Sequence, residues 1–116
     1  MKRYASHFIF FPGYGYLRQY MIEAKDGYVT AISPLTEEIE SVEWLPGVIA
    51  LLTEVQGDLI SGKHSSVFQE TSLILEEIPE SYRKGLHIAT LKPYLFFPFN
   101  FTTMQPADGT LHRLLP

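Results

Sequence analysis

The chain reads as short apolar runs, rich in aromatic and β-branched residues, divided by Gly, Pro and Asp-Gly punctuation. Such runs predict strands. Residues 4–11 predict a first strand, and Pro12-Gly13-Tyr14-Gly15 supplies turn chemistry with two glycines free to take positive φ. Residues 16–24 predict a second strand whose Tyr16, Arg18, Tyr20 and Ile22 share one face at period two. Lys25-Asp26-Gly27 carries an Asp-Gly hairpin signal, and residues 28–33 predict a third strand stopped by Pro34. Strand, turn, strand, turn, strand predicts a meander.

Residues 36–40 are acidic and expected to be exposed, before a short strand at 41–45. Pro46-Gly47 breaks the chain ahead of the apolar run 48–52, which periodicity leaves open between a buried strand and a buried helical turn. The polar stretch 54–66 predicts a loop around one brief strand near Leu59. Residues 65–78 fit either state. Val67, Thr71, Ile74, Leu75 and Ile78 fall on one helical face with Ser65 or Ser66 as a cap, while Leu73-Ile74-Leu75 would centre a strand; helix is preferred slightly. Pro79 ends the segment, 80–85 predicts a charged turn, and 86–91 a strand. Residues 94–101 form the most aromatic segment, and Pro98, lacking an amide proton, predicts an edge strand there. Asp108-Gly109 predicts a last turn before 111–115.

At 116 residues the chain is one domain in size, predicted to span 1–116 as a single unit, with enough core to need no covalent staple. Eight Phe, seven Tyr and one Trp strengthen the β expectation. The formal charge of −4 and the dispersed basic residues argue against nucleic acid as a partner. No cysteine is present, which removes disulfides, thiolate metal sites and thiol nucleophiles. Ser6, His7, Pro12 and Gly13 interrupt any apolar stretch after Lys2-Arg3, and no run approaches the ~20 apolar residues of a membrane helix. No signal, no membrane partner and a cytoplasmic location are the expectations.

His7, His64, His87 and His112 form no His-x-His or His-x-x-x-His spacing, so no metal or other cofactor is expected. The acidic groups Glu37-Glu38, Glu40, Glu43, Glu76-Glu77 and Glu80 read as solvated faces before they read as an acid–base pair. No Gly-x-Ser-x-Gly elbow occurs, and Gly13-x-Gly15 lacks the third glycine of a dinucleotide fingerprint. Side chains of the aromatic run should mostly fill the core. Both faces of that strand are aromatic, however, so Phe96, Phe97, Phe99 and Phe101 are the candidate interface for a protein partner or a second copy.

Lys25-Asp26-Gly27-Tyr28-Val29-Thr30-Ala31-Ile32, Trp44-Leu45-Pro46-Gly47-Val48-Ile49 and the tail from Lys92-Pro93-Tyr94-Leu95 to His112-Arg113-Leu114-Leu115 stand in an order similar to that at the two ends of amidohydrolase-superfamily enzymes. The resemblance covers roughly residues 1–50 and 92–116. It implies the small composite β-sandwich of those metal-dependent hydrolases. The family follows its Leu-Pro-Gly motif with an acidic or amide residue and a His-x-His ligand pair; those positions here hold Ala50, Leu52 and Glu54. Only residues 48–91 separate Gly47 from Lys92, whereas a (β/α)₈ barrel takes about 200 or more. The resemblance therefore implies the sandwich without its catalytic barrel.

The sequence predicts a mainly β fold, a small sandwich or partly open barrel of about seven to nine strands with at most one or two short helices. The expected role is non-catalytic binding or self-association through the aromatic strand. The alternatives are a small-molecule binder using a Tyr- and Phe-lined pocket, an accessory subunit docking on a separate hydrolase, and an enzyme, which would need Glu43 or Glu54 to converge with a histidine.

Overall fold

The structure, a computed structural model, describes residues 2–35, 41–60, 68, 73–83 and 90–116. Among the described residues ten strands form two sheets and no closed barrel: a small β-sandwich, as expected, with strands one beyond the predicted range. The strands are β1 (Lys2–Ala5), β2 (Phe8–Phe11), β3 (Gly15–Leu17), β4 (Tyr20–Lys25), β5 (Tyr28–Pro34), β6 (Val42–Trp44), β7 (Val48–Leu52), β8 (Ile74–Leu75), β9 (Lys92–Asn100) and β10 (Gln105–Leu114). Two short helices are described, α1 (Glu54–Leu59) and α2 (Glu80–Arg83). The smaller sheet runs β5-β4-β1-β6 and the larger β10-β9-β7-β2-β3-β8.

Period-two alternation explains why the larger sheet carries continuous apolar runs. Ile9 and Phe11 of β2, Ile49 and Leu51 of β7, and Leu95 of β9 face the smaller sheet and pack with its Tyr4, Ile22, Ala24 and Val29. Phe10, Val48, Ala50, Leu52 and Phe96 point the other way into a second core. That core is aromatic: Phe68 lies with ring centroids 4.6 Å from Phe10, 4.8 Å from Phe96 and 5.2 Å from Phe99. Strands buried on both faces need no polar alternation, which settles 48–52 as strand.

The predicted meander is replaced by two hairpins in different sheets. The expected strand 4–11 divides at Ser6-His7 into β1 of the smaller sheet and β2 of the larger. The expected strand 16–24 likewise divides at Arg18-Gln19, where Gln19 takes a φ of 62°. Tyr16 consequently faces the second core and Ile22 the first. The Asp26-Gly27 hairpin forms as predicted between β4 and β5.

Five further expectations are corrected. Residues 54–59 are helical: Thr53 caps the helix, accepting the Gln56 amide while the Gln56 side chain accepts the Thr53 amide. The preferred helix over 65–78 gives way at its end to β8, paired with β3; residues 65–67 and 69–72 lie outside the described residues, as do the acidic segment 36–40 and most of the predicted strand 86–91. The predicted charged turn begins as α2. The aromatic segment is an interior strand, since β9 lies between β7 and β10. Pro98 is accommodated because β7 pairs with β9 only as far as Val48↔Phe96, and because β10 bulges opposite it between Pro106 and Leu111. Asp108-Gly109 sits within that bulge, and the chain reverses earlier, at residues 101–104, where Asn100 Oδ1 accepts the Thr102 and Thr103 amides.

Candidate functional site

The expected interface divides by strand face. Phe96 and Phe99 are buried in the second core, so neither is available to a partner, which corrects half of the expected set. Phe97 and Phe101 remain 49% and 38% exposed.

Phe97 stands on the inner face of the larger sheet. Leu111 is directly opposite Phe97 across β9 and β10, and Arg113 is opposite Leu95. Leu95 belongs to the core between the sheets, so these four side chains share that face. The smaller sheet ends at β6, and the chain leaves it through Leu45-Pro46-Gly47 to begin β7. Past that edge the inner face of the larger sheet reaches solvent. A recess of about 470 Å³ results, lined by Leu45 and Pro46 on one side and by Leu95, Phe97, Leu111, His112 and Arg113 on the other. His112 joins the rim from its strand, while its ring lies 5.9 Å from Phe96 and 6.2 Å from Tyr94.

The Leu45-Pro46-Gly47 link is fastened from both sides. Ser6 donates its hydroxyl to the Gly47 carbonyl at 2.7 Å, and His7 Nδ1 accepts the Gly47 amide at 3.1 Å. Gly47 has a φ of +117°, and a Cβ there would run into the Phe96 carbonyl oxygen. The His7 ring then packs edge-on to Trp44 at 4.8 Å and against Phe101 at 4.7 Å. Leu111, 74% exposed, and Phe97 are the bare apolar part of the recess, while Trp44, 52% exposed, and Phe101 meet through the His7 ring beside the Leu45-Pro46-Gly47 link.

The electrostatics of the rim are sparse. Tyr4 donates to the Pro116 carbonyl at 3.1 Å; burial raises its hydroxyl above the ordinary value, Glu43 adds to the rise and Arg113 opposes it. No hydrogen bond or ion pair engages the Arg113 guanidinium among the described residues. A second recess, lined by Tyr28, Thr53, Glu54, Val55 and Thr90, differs on this point. Its Glu54 already pairs with Lys92 at 3.0 Å, and that ammonium lies over the Tyr28 ring.

Glu54 is thereby engaged by a lysine, and His7 by Gly47, Trp44 and Phe101. Among the described residues no group of three or more His, Asp or Glu side chains is placed to hold a metal ion. His64 and His87, with Glu37, Glu38 and Glu40, lie outside the described residues. No described helix is long and apolar enough to cross a membrane. Leu45, Pro46, Leu111 and Arg113 are not among the residues the sequence singles out as an interface; there the Leu-Pro-Gly motif marks a break in the chain and 111–115 follows a turn. No protein-family model, curated protein or solved structure matches the chain.

Proposed function

We propose that this chain is a non-catalytic binding domain whose working surface is the open seam of the sandwich. One observation carries the reading: the inner face of β9 and β10 continues past β6 as a ligand-sized recess walled by Leu45, Pro46, Leu95, Phe97 and Leu111. Small-molecule sites are typically concavities of about 300–1,000 Å³ with mostly apolar walls and few polar groups. Apart from His112, the lining holds no side chain of the types that serve as nucleophiles.

The sole tryptophan, Trp44, adjoins the recess and reports on it. Titration with octan-1-ol should saturate, change Trp44 emission, and shift the amide resonances of residues 95–97 and 111–113. Shifts that never saturate, or that spread evenly over the surface, would overturn the proposal. Hydrolytic turnover by the purified chain alone would overturn its non-catalytic part.

The exposed Leu111 and Phe97, directly opposite each other across β9 and β10, also favour self-association through the same seam. Light scattering across a concentration series tests it, and a monomer at every concentration removes it. The likeness to the composite sandwich of amidohydrolases stays part of the proposal. It is supported by Asp26-Gly27 lying at the β4–β5 turn and Leu45-Pro46-Gly47 lying where the chain changes sheets.

A further inference from the structure

We infer that the recess takes an amphipathic monocarboxylate, its hydrocarbon body against Phe97, Leu111, Leu45 and Pro46 and its carboxylate on Arg113. The inference rests on the proposed role of the recess as a binding site and adds the chemistry of its ligand. Five of the seven lining residues are apolar, so most of the ligand must be apolar too. The guanidinium is the one side chain of fixed positive charge in the lining, and no carboxylate among the described residues forms an ion pair with it. Its planar fork matches a carboxylate with two parallel N–H···O bonds.

Charge selects a monoanion. One guanidinium balances one negative charge, Glu43 acts on the same Tyr4 hydroxyl as Arg113, and the chain as a whole carries −4. A phosphate monoester would bring a second negative charge to this rim without a second cation to meet it. Position supports the arrangement as well. Arg113 is opposite Leu95 and two residues from Leu111 on one strand face, so the cation and the apolar wall stand next to each other on rigid β structure. A linear ligand can touch both at once.

The test compares octanoate, octan-1-ol and acetate on the intact chain, read by Trp44 emission and by the amide shifts of residues 95–97 and 111–113. Octanoate should bind at least about tenfold more tightly than octan-1-ol, in line with a charge-assisted hydrogen bond, and acetate should not saturate. Arg113→Gln should remove the preference for octanoate over octan-1-ol. Arg18→Gln removes an equal charge from an exposed site elsewhere and should leave the preference intact. Added salt should weaken octanoate and not octan-1-ol. Equal affinities for octanoate and octan-1-ol, or a preference that survives Arg113→Gln, would overturn the inference while leaving the recess as a binding site. Failure of both ligands to shift the recess residues would overturn the inference together with the site.

Discussion

His7 accepts the backbone amide of Gly47 through Nδ1 at 3.1 Å, and this contact joins the β1–β2 crossing to the β6–β7 crossing. Ser6 holds the carbonyl of the same glycine. Both points at which the chain leaves the smaller sheet for the larger are thus tied at one residue, and that residue adjoins a wall of the recess.

Replacing His7 by Leu removes an acceptor from the amide of a buried residue, and should lower unfolding stability by about 1–2 kcal/mol. Ser6→Ala should cost a similar amount, because its bond to the Gly47 carbonyl is buried. Both substitutions act on one residue, so their effects should not add in the double variant. Urea denaturation of the four proteins measures the coupling.

Gly47→Ala should be far more damaging. The backbone takes a φ of +117°, and the added methyl would meet the Phe96 carbonyl oxygen, part of a β9 ladder that cannot yield cheaply. A loss of about 3 kcal/mol or more is expected from strain and displacement together. Gly13 has a positive φ of 82° but open space around it, so Gly13→Ala should cost clearly less. Thermal unfolding of the two variants separates crowding from backbone conformation.

Local chemistry made much of this fold legible. The Asp26-Gly27 turn, the strand at 28–33 and the short strand before Pro46 follow from turn residues and β-branched runs, and all form nearly as the sequence predicts. Sheet membership was not legible. Nothing in Tyr4-Ala5-Ser6-His7-Phe8 announces a change of sheet, because the residues on both sides of the break are apolar and both become buried or half-buried. The edge prediction for residues 94–101 failed for a related reason: a proline needs only one missing partner, and the end of β7 supplies that as well as an open edge does. The α1 start was written in Thr53 and Gln56, but Gly57 and the polar surroundings concealed it. The site was half legible. Phe97 and Phe101 could be singled out as aromatic residues in excess of what one strand face can bury. Leu45, Pro46 and Arg113 could not, since only the fold brings the β6–β7 link and β10 to one seam.

Alkaline pH should unfold the protein through its tyrosines. Tyr16 is buried, donates to the Met104 carbonyl at 2.7 Å, and has its hydroxyl pushed far above the ordinary value by burial. Burial raises Tyr82 and Tyr4 as well. In the unfolded chain these groups lose their protons near pH 10, while the folded chain retains them. Between those limits the unfolded state binds fewer protons, so stability is full below about pH 10 and falls as pH rises further. Tyr16→Phe should flatten that fall, at the cost of one buried hydrogen bond at neutral pH. Stability curves from pH 8 to 11 for both proteins test the sign.

Phe96 and Phe97 are neighbours in sequence with opposite expected behaviour, and the contrast tests the seam. Phe96 is fully buried, with Phe68 edge-on at 4.8 Å, so Phe96→Ala should open a cavity in the second core and cost about 3–5 kcal/mol. Phe97 is half exposed on the uncovered stretch of the inner face. Phe97→Ala should therefore cost about 1 kcal/mol or less in stability, yet weaken octan-1-ol binding severalfold, because it removes the largest apolar side chain of the recess. Leu111→Ala should follow Phe97 on both measures, being more exposed still and directly opposite it. Equal destabilisation by Phe96→Ala and Phe97→Ala would mean that a further element covers the seam, and the recess could not then be a binding surface. A stable Phe97→Ala protein with undiminished octan-1-ol binding would place the ligand elsewhere. Only stability retained and binding lost together fit a sheet face left bare for a ligand.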